Sequence, residues 1–182
     1  MTQALYFIVS AVMQLALLLF LLRFWLPMLR IDFRNPLAQG ILRLTSPLIV
    51  PVRRLLPPLG RIDTATVLVL LVLQTLTILL LLLLSSRMYD PISIGLTAIL
   101  ELAAHSLNLF FFVVLASVIL SWIAPHNYNP IVGMINGLAE PLLRPFRRVI
   151  PSIGGLDISP VFAIILLQAG VIFLKSLRPF PI

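Results

Sequence analysis

Residues 35–63 of this chain read NPLAQGILRLTSPLIVPVRRLLPPLGRID, and residues 129–157 read NPIVGMINGLAEPLLRPFRRVIPSIGGLD. The two segments align without a gap, and each residue of the second lies 94 positions after its counterpart (129 − 35 = 94). They share an Asn-Pro start, further prolines, an arginine pair, a glycine and a final aspartate at identical spacing. Self-similarity at a fixed offset indicates a tandem duplication, and the rest of the chain is organised around it.

The composition of the chain is that of a membrane protein. Of its 182 residues, 60% are hydrophobic and only 10% are charged, whereas a soluble domain carries about 25% charged residues. Cysteine is absent, which excludes disulfides, cysteine-ligated metal clusters and covalent haem attachment. Membrane proteins carry basic excess on their cytoplasmic side, so the net charge of +7 does not indicate nucleic acid as a direct partner.

Four apolar runs are long enough to cross a bilayer, which takes about 20 apolar residues. They lie at about 3–26, 64–85, 100–122 and 158–175. A cleaved signal peptide is the alternative for the first run, but it needs a basic start, and no basic residue precedes Arg23. We predict an all-α membrane protein whose four transmembrane helices form two parallel two-helix repeats, 1–88 and 95–182.

Each repeat contains a proline-rich amphipathic loop between its two spans. In the first loop, apolar residues recur at helical spacing, at Leu37, Ile41, Leu44 and Leu48. This pattern predicts a short helix that lies in the membrane interface. We expect Pro47 to end this helix, because its ring clashes with the preceding turn, and a second short piece to follow at 48–56.

The two loops fall on the same side of the membrane, because each repeat crosses it twice. Most basic residues lie on that side: Arg30, Arg34, Arg43, Arg53, Arg54, Arg61, Arg144, Arg147 and Arg148, with Arg23 at its edge. The opposite side has Arg87, Lys175 and Arg178. The positive-inside rule therefore predicts that both long loops are cytoplasmic and both termini periplasmic.

The duplicated loops supply the first candidate functional residues. We expect Arg53, Arg54, Arg147 and Arg148 to bind anionic lipid headgroups, at about 1 kcal/mol per charge. They can also form a docking face for a protein partner that the sequence does not identify. Asp63 and Asp157 each precede an apolar span. A carboxylate at that position accepts hydrogen bonds from the free amides of a helix start, so both are candidate helix caps.

Each of the four spans carries one carboxamide, at corresponding positions of the two repeats: Gln14, Gln74, Asn108 and Gln168. Amides within a membrane form hydrogen bonds between helices, worth about 0.6–2 kcal/mol each. The alternative is a polar pathway along the axis that relates the repeats. Hydrogen bonding between spans is the favoured interpretation.

The third span, on a helix expected at about 94–121, carries a second polar group. Glu101, His105 and Asn108 lie on one face and can relay a proton or bind a cation, or Glu101 and His105 form an interfacial pair that faces water. His126 lies at the other end of this span, roughly 30 Å away. One chain therefore cannot ligate one haem with both histidines, which leaves a site shared between subunits as the alternative, and no cofactor is expected. No phosphate-binding, metalloprotease or hydrolase motif occurs, so an enzyme is not expected.

The repeated motif resembles that of the YggT family, also called YlmG. The second copy, with Gly154-Gly155-Leu156-Asp157 followed by Ile-Ser-Pro, is closest to the family pattern. The first copy departs from it, with Arg61 at the second glycine and Ala65-Thr66 in place of Ser-Pro. The resemblance implies a bacterial inner-membrane protein linked to osmotic-stress adaptation, potassium uptake, cell division and the biogenesis of cytochrome complexes. It supplies no catalytic residues.

We therefore expect a non-enzymatic organising or assembly factor whose basic loops bind the bilayer and a protein partner. The alternatives are a channel subunit or modulator of potassium uptake and, third, a haem-handling cytochrome assembly factor. Four spans form too narrow a bundle for a pore, so a conducting pore would need several subunits, and a homo-oligomer is one such arrangement.

Overall fold

The computed structural model describes residues 2–31, 34–85, 89–123, 129–150 and 157–180, and in these ranges the secondary-structure elements are all α-helices. Six helices follow one another along these residues: α1 (Thr2–Met28), α2 (Pro36–Leu55), α3 (Thr64–Ser85), α4 (Pro91–Ile123), α5 (Pro130–Val149) and α6 (Ser159–Ser176). The two proline-rich segments form α2 and α5, and the apolar runs form the other four helices.

Four of these helices, α1, α3, α4 and α6, are long and apolar enough to cross a membrane. The shortest is α6 with 18 residues, which at ~1.5 Å per residue is comparable with the ~30 Å hydrocarbon core. The prediction of an all-α protein with four transmembrane helices in two parallel pairs is confirmed. The chain is a multi-pass membrane protein.

The spans contact one another mainly within each repeat, α1 against α3 and α4 against α6, while α3 contacts α4 and joins the repeats. The shared core includes Leu17, Leu21, Ala65, Val114 and Ala163. Trp25 of α1 meets Phe110 of α4 edge-to-face, with ring centroids 4.7 Å apart. At Gly170 of α6 an added Cβ would lie 2.9 Å from Leu107 Cδ1, so glycine permits the close approach of α6 to α4.

The Asn-Pro pair that opens each repeated segment starts a helix. Asn35 Oδ1 accepts a hydrogen bond from the Leu37 amide at 2.9 Å, and Asn129 Oδ1 accepts one from Ile131 at 2.9 Å. Proline follows each asparagine at the first helical position, where its missing amide hydrogen costs nothing and its fixed φ suits the helix. The first residues of each repeated segment are therefore helix-start signals.

The structure corrects the expected break at Pro47. α2 continues as one helix through Pro47 and Pro51 to Leu55, so there is no separate piece at 48–56, and α5 continues through Pro141 and Pro145. All four prolines are exposed. Their rings therefore lie on the faces that point away from the bundle. On an exposed face, polar surroundings can compensate the backbone hydrogen bonds that the prolines remove. In a buried helix those bonds would stay uncompensated.

The third span belongs to a longer helix than predicted. α4 has 33 residues and begins at Pro91, because Asp90 Oδ2 accepts a hydrogen bond from the Ser93 amide at 2.9 Å. Its first turns pack beside a small cluster that includes Ile78, Leu82, Ala98 and Phe180. Tyr89 stacks on Phe180 with ring centroids 3.8 Å apart. The C-terminal segment is thereby fixed against the end of the bundle opposite α2 and α5.

Candidate functional site

The two amphipathic helices lie against each other at one end of the bundle. Asn35 Nδ2 at the start of α2 donates a hydrogen bond to the Pro130 carbonyl of α5 at 2.6 Å. Each helix buries one face, formed by Ala38, Ile41, Thr45 and Ile49 in α2 and by Leu138, Ala139 and Leu143 in α5. The duplication therefore brings its two copies together in space and leaves their basic faces outside.

In the first repeat, the first arginine of the pair bonds the aspartate that precedes the next span. Arg53 forms an ion pair with Asp63, and the Thr66 hydroxyl donates to the same carboxylate at 2.8 Å. This ion pair connects the C-terminal end of α2 to the start of α3. Between them, Gly60 adopts a φ of 62° in a turn, a conformation that glycine reaches without steric cost.

The second repeat contains the same ion pair. Arg147 Nε lies 2.7 Å from Asp157 Oδ2, and Arg147 Nη1 lies 2.5 Å from Glu140 Oε2. The Ser159 amide donates to Asp157 Oδ1 at 3.0 Å. Glu140 corresponds to Ser46 of the first repeat, so the second repeat has one more acid at this position.

The environment of these groups favours their charged forms. Burial raises the pKa of the Asp63 carboxyl, but the hydrogen bonds from Arg53 and Thr66 outweigh it, and the resulting pKa lies below its ordinary value. Burial also raises the pKa of Asp157, but the hydrogen bonds from Ser159 and Arg147 outweigh it, so this pKa too lies below its ordinary value. Burial lowers the pKa of Arg147, but its bonds to Asp157 and Glu140 raise it above the ordinary value.

The predicted arginine site thus divides into two kinds of residue. Arg53 and Arg147 hold the aspartates. Arg54 and Arg148 are exposed, and neither belongs to an ion pair among the described residues. We call the exposed arginines on the outer faces of α2 and α5 the basic surface: Arg43, Arg54, Arg144 and Arg148.

The two predicted caps differ in their positions. Asp63 directly precedes α3, as a cap does. Asp157 lies one residue earlier relative to α6, whose cap position is taken by Ile158 without a side-chain hydrogen bond. Asp157 still accepts the Ser159 amide, so its carboxylate satisfies one free amide at the start of the helix.

The four carboxamides do not form a common polar core. Gln74 is buried, Asn108 and Gln168 are half-buried, and Gln14 is exposed on α1. Within the described residues no hydrogen bond joins any two of them, and the buried Gln74 Oε1 has no donor. The prediction that these side chains form hydrogen bonds between the spans stays a prediction. Equivalent positions of the two repeats have different surroundings because α3 and α4 pack against each other, whereas among the described residues their counterparts α6 and α1 do not.

Glu101 is a buried residue of the bundle, so of the two alternatives for this group, the pair that faces water was wrong. It is 6% exposed and forms an ion pair with Arg178, which follows α6. His105 lies one turn further along the same face of α4, half-buried. The ion pair fixes the end of α6 to α4, and the Glu101 carboxylate is therefore already bound by Arg178. His126, Arg87 and Gly154 lie outside the described residues.

The structure also brings out residues that the sequence patterns did not single out. Arg23 of α1 is 4% exposed, and its Nη1 donates to Thr45 Oγ1 at 2.8 Å, to the Leu42 carbonyl at 2.9 Å and to Ser46 Oγ at 3.2 Å. The sequence could have indicated this contact, because Arg23 is the first charged residue after 22 uncharged ones and the next helix carries two adjacent hydroxyl residues, Thr45 and Ser46. Gly137 of α5 is another such residue, because an added Cβ there would lie 2.7 Å from Ile31 Cδ1.

A cleft of about 910 Å³ opens in the second repeat between the end of α4, α5 and the start of α6. Its polar lining includes Ser117, Ser121, Glu140, Arg147 and Asp157, and Trp122 and Val161 contribute apolar surface.

Known proteins resemble this chain over most of its length. The model of the CCB3/YggT family matches residues 2–84 and, again, residues 96–178. An uncharacterised protein of Pseudomonas aeruginosa is 46% identical over 169 residues, which cover 92% of this chain and 85% of its relative. The uncharacterised YggT protein of Escherichia coli K12 is 37% identical over 161 residues, covering 88% and 84%.

More distant similarity reaches plastids. The protein named YlmG homolog protein 2, chloroplastic, of Arabidopsis thaliana is 36% identical over 63 residues, covering 35% of this chain and 25% of the plant protein. No solved structure matches the chain. The family model covers both repeats and the bacterial relatives align from one repeat into the other, so this chain belongs to the CCB3/YggT family.

Proposed function

We propose that the protein is a non-enzymatic organising or assembly factor of the bacterial inner membrane, and that its basic surface binds anionic lipid headgroups and a protein partner in the cytoplasm. One observation carries the proposal. The duplication places two amphipathic helices side by side, each with an exposed second arginine, Arg54 or Arg148, while the first arginine of each pair holds the helix to the next span.

The chemistry of the basic surface suits this role. Arginine presents several donors to phosphate oxygens, and each basic residue near an anionic leaflet contributes about 1 kcal/mol to lipid binding. Exposed apolar residues of α2, such as Leu44 and Leu48, fit an orientation of this helix in the membrane interface. Osmotic-stress adaptation, cell division and membrane-complex biogenesis are the processes in which we propose that such a factor acts.

The test is charge reversal at the exposed arginines. The double variant Arg54→Glu/Arg148→Glu should insert and accumulate normally, yet retain at least about 30-fold less phosphatidylglycerol, because loss of the two positive charges alone costs about 1 kcal/mol each. Native mass spectrometry of the purified protein measures the retained lipid. Lys175→Glu, at the opposite end of the bundle, is the matched control and should retain lipid normally. Unchanged phosphatidylglycerol retention in the double variant would refute the proposal.

A transport role is the second candidate, as a channel subunit or modulator of potassium uptake. The observation that favours it is Gln74, a buried carboxamide inside α3 whose oxygen has no donor among the described residues. Liposomes containing only the purified protein test it. Potassium flux that Gln74→Leu removes and Arg54→Glu/Arg148→Glu leaves intact would replace the organising role with transport. The third candidate, haem handling, has no such observation in its favour.

A further inference from the structure

One site occurs at equivalent positions of the two repeats, but it holds a guanidinium in the first repeat and is an open cleft in the second. In the first repeat, the guanidinium of Arg23 reaches from α1 into the angle between α1 and α2 and bonds Thr45, Ser46 and the Leu42 carbonyl. Adding 94 to these four positions gives Ser117, Ala139, Glu140 and Asn136. All four of those counterparts line the cleft of the second repeat. The cleft therefore lies where the first repeat holds a guanidinium.

The charges around the two sites are also opposite. Among the described residues of the first repeat, Arg23 and Arg53 lie near one acid, Asp63. Among the described residues that line the second cleft, the acids Glu140 and Asp157 face the single base Arg147. The second repeat has lost a cation, because Ser117 replaces Arg23, and gained an anion, because Glu140 replaces Ser46. The two changes act in the same direction, and both favour a positive ligand.

The cleft offers acceptors for a donor-rich cation. Ser117 is 8% exposed and donates its own hydrogen to the Val114 carbonyl at 2.8 Å, while Ser121 donates to Val118 at 2.7 Å. The lone pairs of both hydroxyl oxygens are thus available as acceptors. Glu140 uses Oε2 for Arg147, and its second oxygen has no partner among the described residues. A cleft of about 910 Å³ has room for more than the charged group alone.

We propose that this cleft binds a primary ammonium or guanidinium group, with Glu140 as the charged acceptor and Ser117 and Ser121 as further acceptors, in the place that Arg23 takes in the first repeat. The cleft lies at the end of the spans beside α5, and its wall includes Trp122, an exposed aromatic residue. A phosphatidylethanolamine headgroup and a free small amine both carry the required chemistry. The inference stands independently of the basic surface.

The first experiment uses propylguanidinium as the probe and follows the unfolding midpoint of the purified protein in detergent. Propylguanidinium should raise the midpoint, whereas tetramethylammonium, a cation without N–H donors, should not. Ser117→Arg supplies the guanidinium from the chain itself, so this variant should lose the response to the probe. Glu140→Gln keeps an acceptor for Arg147 but not the charge, and should weaken the response about tenfold in probe concentration.

The first repeat supplies the matched control. Arg23→Ala opens the equivalent site, and its lost stability should be partly restored by the same probe. If Arg23→Ala does not accumulate, the proposal is decided by comparing the probe response of the wild-type protein with that of the Ser117→Arg variant. A wild-type protein that does not respond, or a Ser117→Arg variant that responds as the wild type does, would overturn the proposal.

The second experiment distinguishes the sources of the group. Native mass spectrometry should show the wild-type protein retaining phosphatidylethanolamine over phosphatidylcholine, whose trimethylated nitrogen has no N–H donor, and Ser117→Arg should abolish this preference. That result identifies the lipid headgroup as the source. A response to propylguanidinium without a lipid preference identifies a free small cation. The absence of both effects excludes the site.

Discussion

Arg23 shows at the scale of one residue why a charged side chain is retained inside an apolar bundle. Removing a guanidinium from water is costly, and the cost is offset only where acceptors replace the lost hydration. Thr45, Ser46 and the Leu42 carbonyl provide them. The interaction spans α1 and α2, so it fixes the amphipathic helix against the bundle.

Loss of this side chain should therefore destabilise the first repeat. Arg23→Ala removes hydrogen bonds from a charged donor and is expected to lower the free energy of unfolding by about 1.5–3 kcal/mol. Ser117→Ala, at the corresponding position of the second repeat, loses only a hydroxyl that bonds its own helix and should change it little. Unfolding by SDS in mixed micelles measures both. Equal stabilities of the two variants would contradict this account of Arg23.

The two capping asparagines permit a sharper comparison. Both accept an amide hydrogen at a helix start, but Asn35 Nδ2 also donates to Pro130. Aspartate keeps the acceptor and removes the donor, so Asn129→Asp should be nearly neutral while Asn35→Asp costs about 1 kcal/mol. The same unfolding assay checks this. An equal loss in both variants would mean that the bond between the repeats contributes nothing.

At the scale of the helices, the Arg–Asp ion pairs hold α2 and α5 to the spans that follow them. The pKa values of Asp63 and Asp157 are lower in the folded protein than in the unfolded chain. A carboxyl group of this kind stabilises the fold above its unfolded pKa of about 3.9, and the stabilisation is lost as the pH falls through the folded pKa. Acid should therefore release both helices.

The pH dependence provides the corresponding measurement. We expect the unfolding midpoint of the wild-type protein to be steady from pH 7 to about pH 5 and to fall below about pH 4. Asp63→Asn/Asp157→Asn should be less stable at pH 7, and the difference should narrow in acid because the wild-type carboxylates become protonated. A difference that stays constant from pH 7 to pH 3 would show that the two ion pairs do not contribute.

The helices also show what the sequence could and could not predict. Length and apolarity were sufficient for the four spans, since each run contains at most one charged residue. The break at Pro47 was predicted from the local clash alone. Whether a proline ends a helix depends on which face carries its ring, and that face is fixed by contacts of Ala38, Thr45 and Ile49 with the bundle. Such contacts involve distant segments and cannot be read from local spacing.

The candidate site shows the same division. Matching the two repeats at an offset of 94 residues identified the Arg pairs and the aspartates, but it did not show that Arg53 and Arg147 bond those aspartates. The offset also suggested that equivalent carboxamides share equivalent surroundings. This is contradicted by Gln14, which is exposed where Asn108 is half-buried, and by Gln74, which is buried where Gln168 is half-buried. Duplication copies the sequence of each repeat. Burial depends on neighbours that differ between the first and last spans.

At the scale of the whole molecule, two parallel repeats must place α2 and α5 on one side of the membrane. The contact between Asn35 and Pro130 fits this arrangement. The basic residues of both helices then add to a single surface, and the positive-inside rule predicts that this surface is cytoplasmic. Both the organising role and the lipid binding that we propose depend on this sidedness.

Labelling of single cysteines tests this central claim most directly. The chain contains no cysteine, so Arg54→Cys and Arg148→Cys each provide one thiol without further changes, and Lys175→Cys reports the opposite side. A membrane-impermeant maleimide applied to intact spheroplasts should label only the Lys175→Cys variant, and all three should react after the membrane is opened. If only one of the variants Arg54→Cys and Arg148→Cys is labelled in intact spheroplasts, then α2 and α5 lie on opposite sides of the membrane. That result would contradict the parallel arrangement of the repeats.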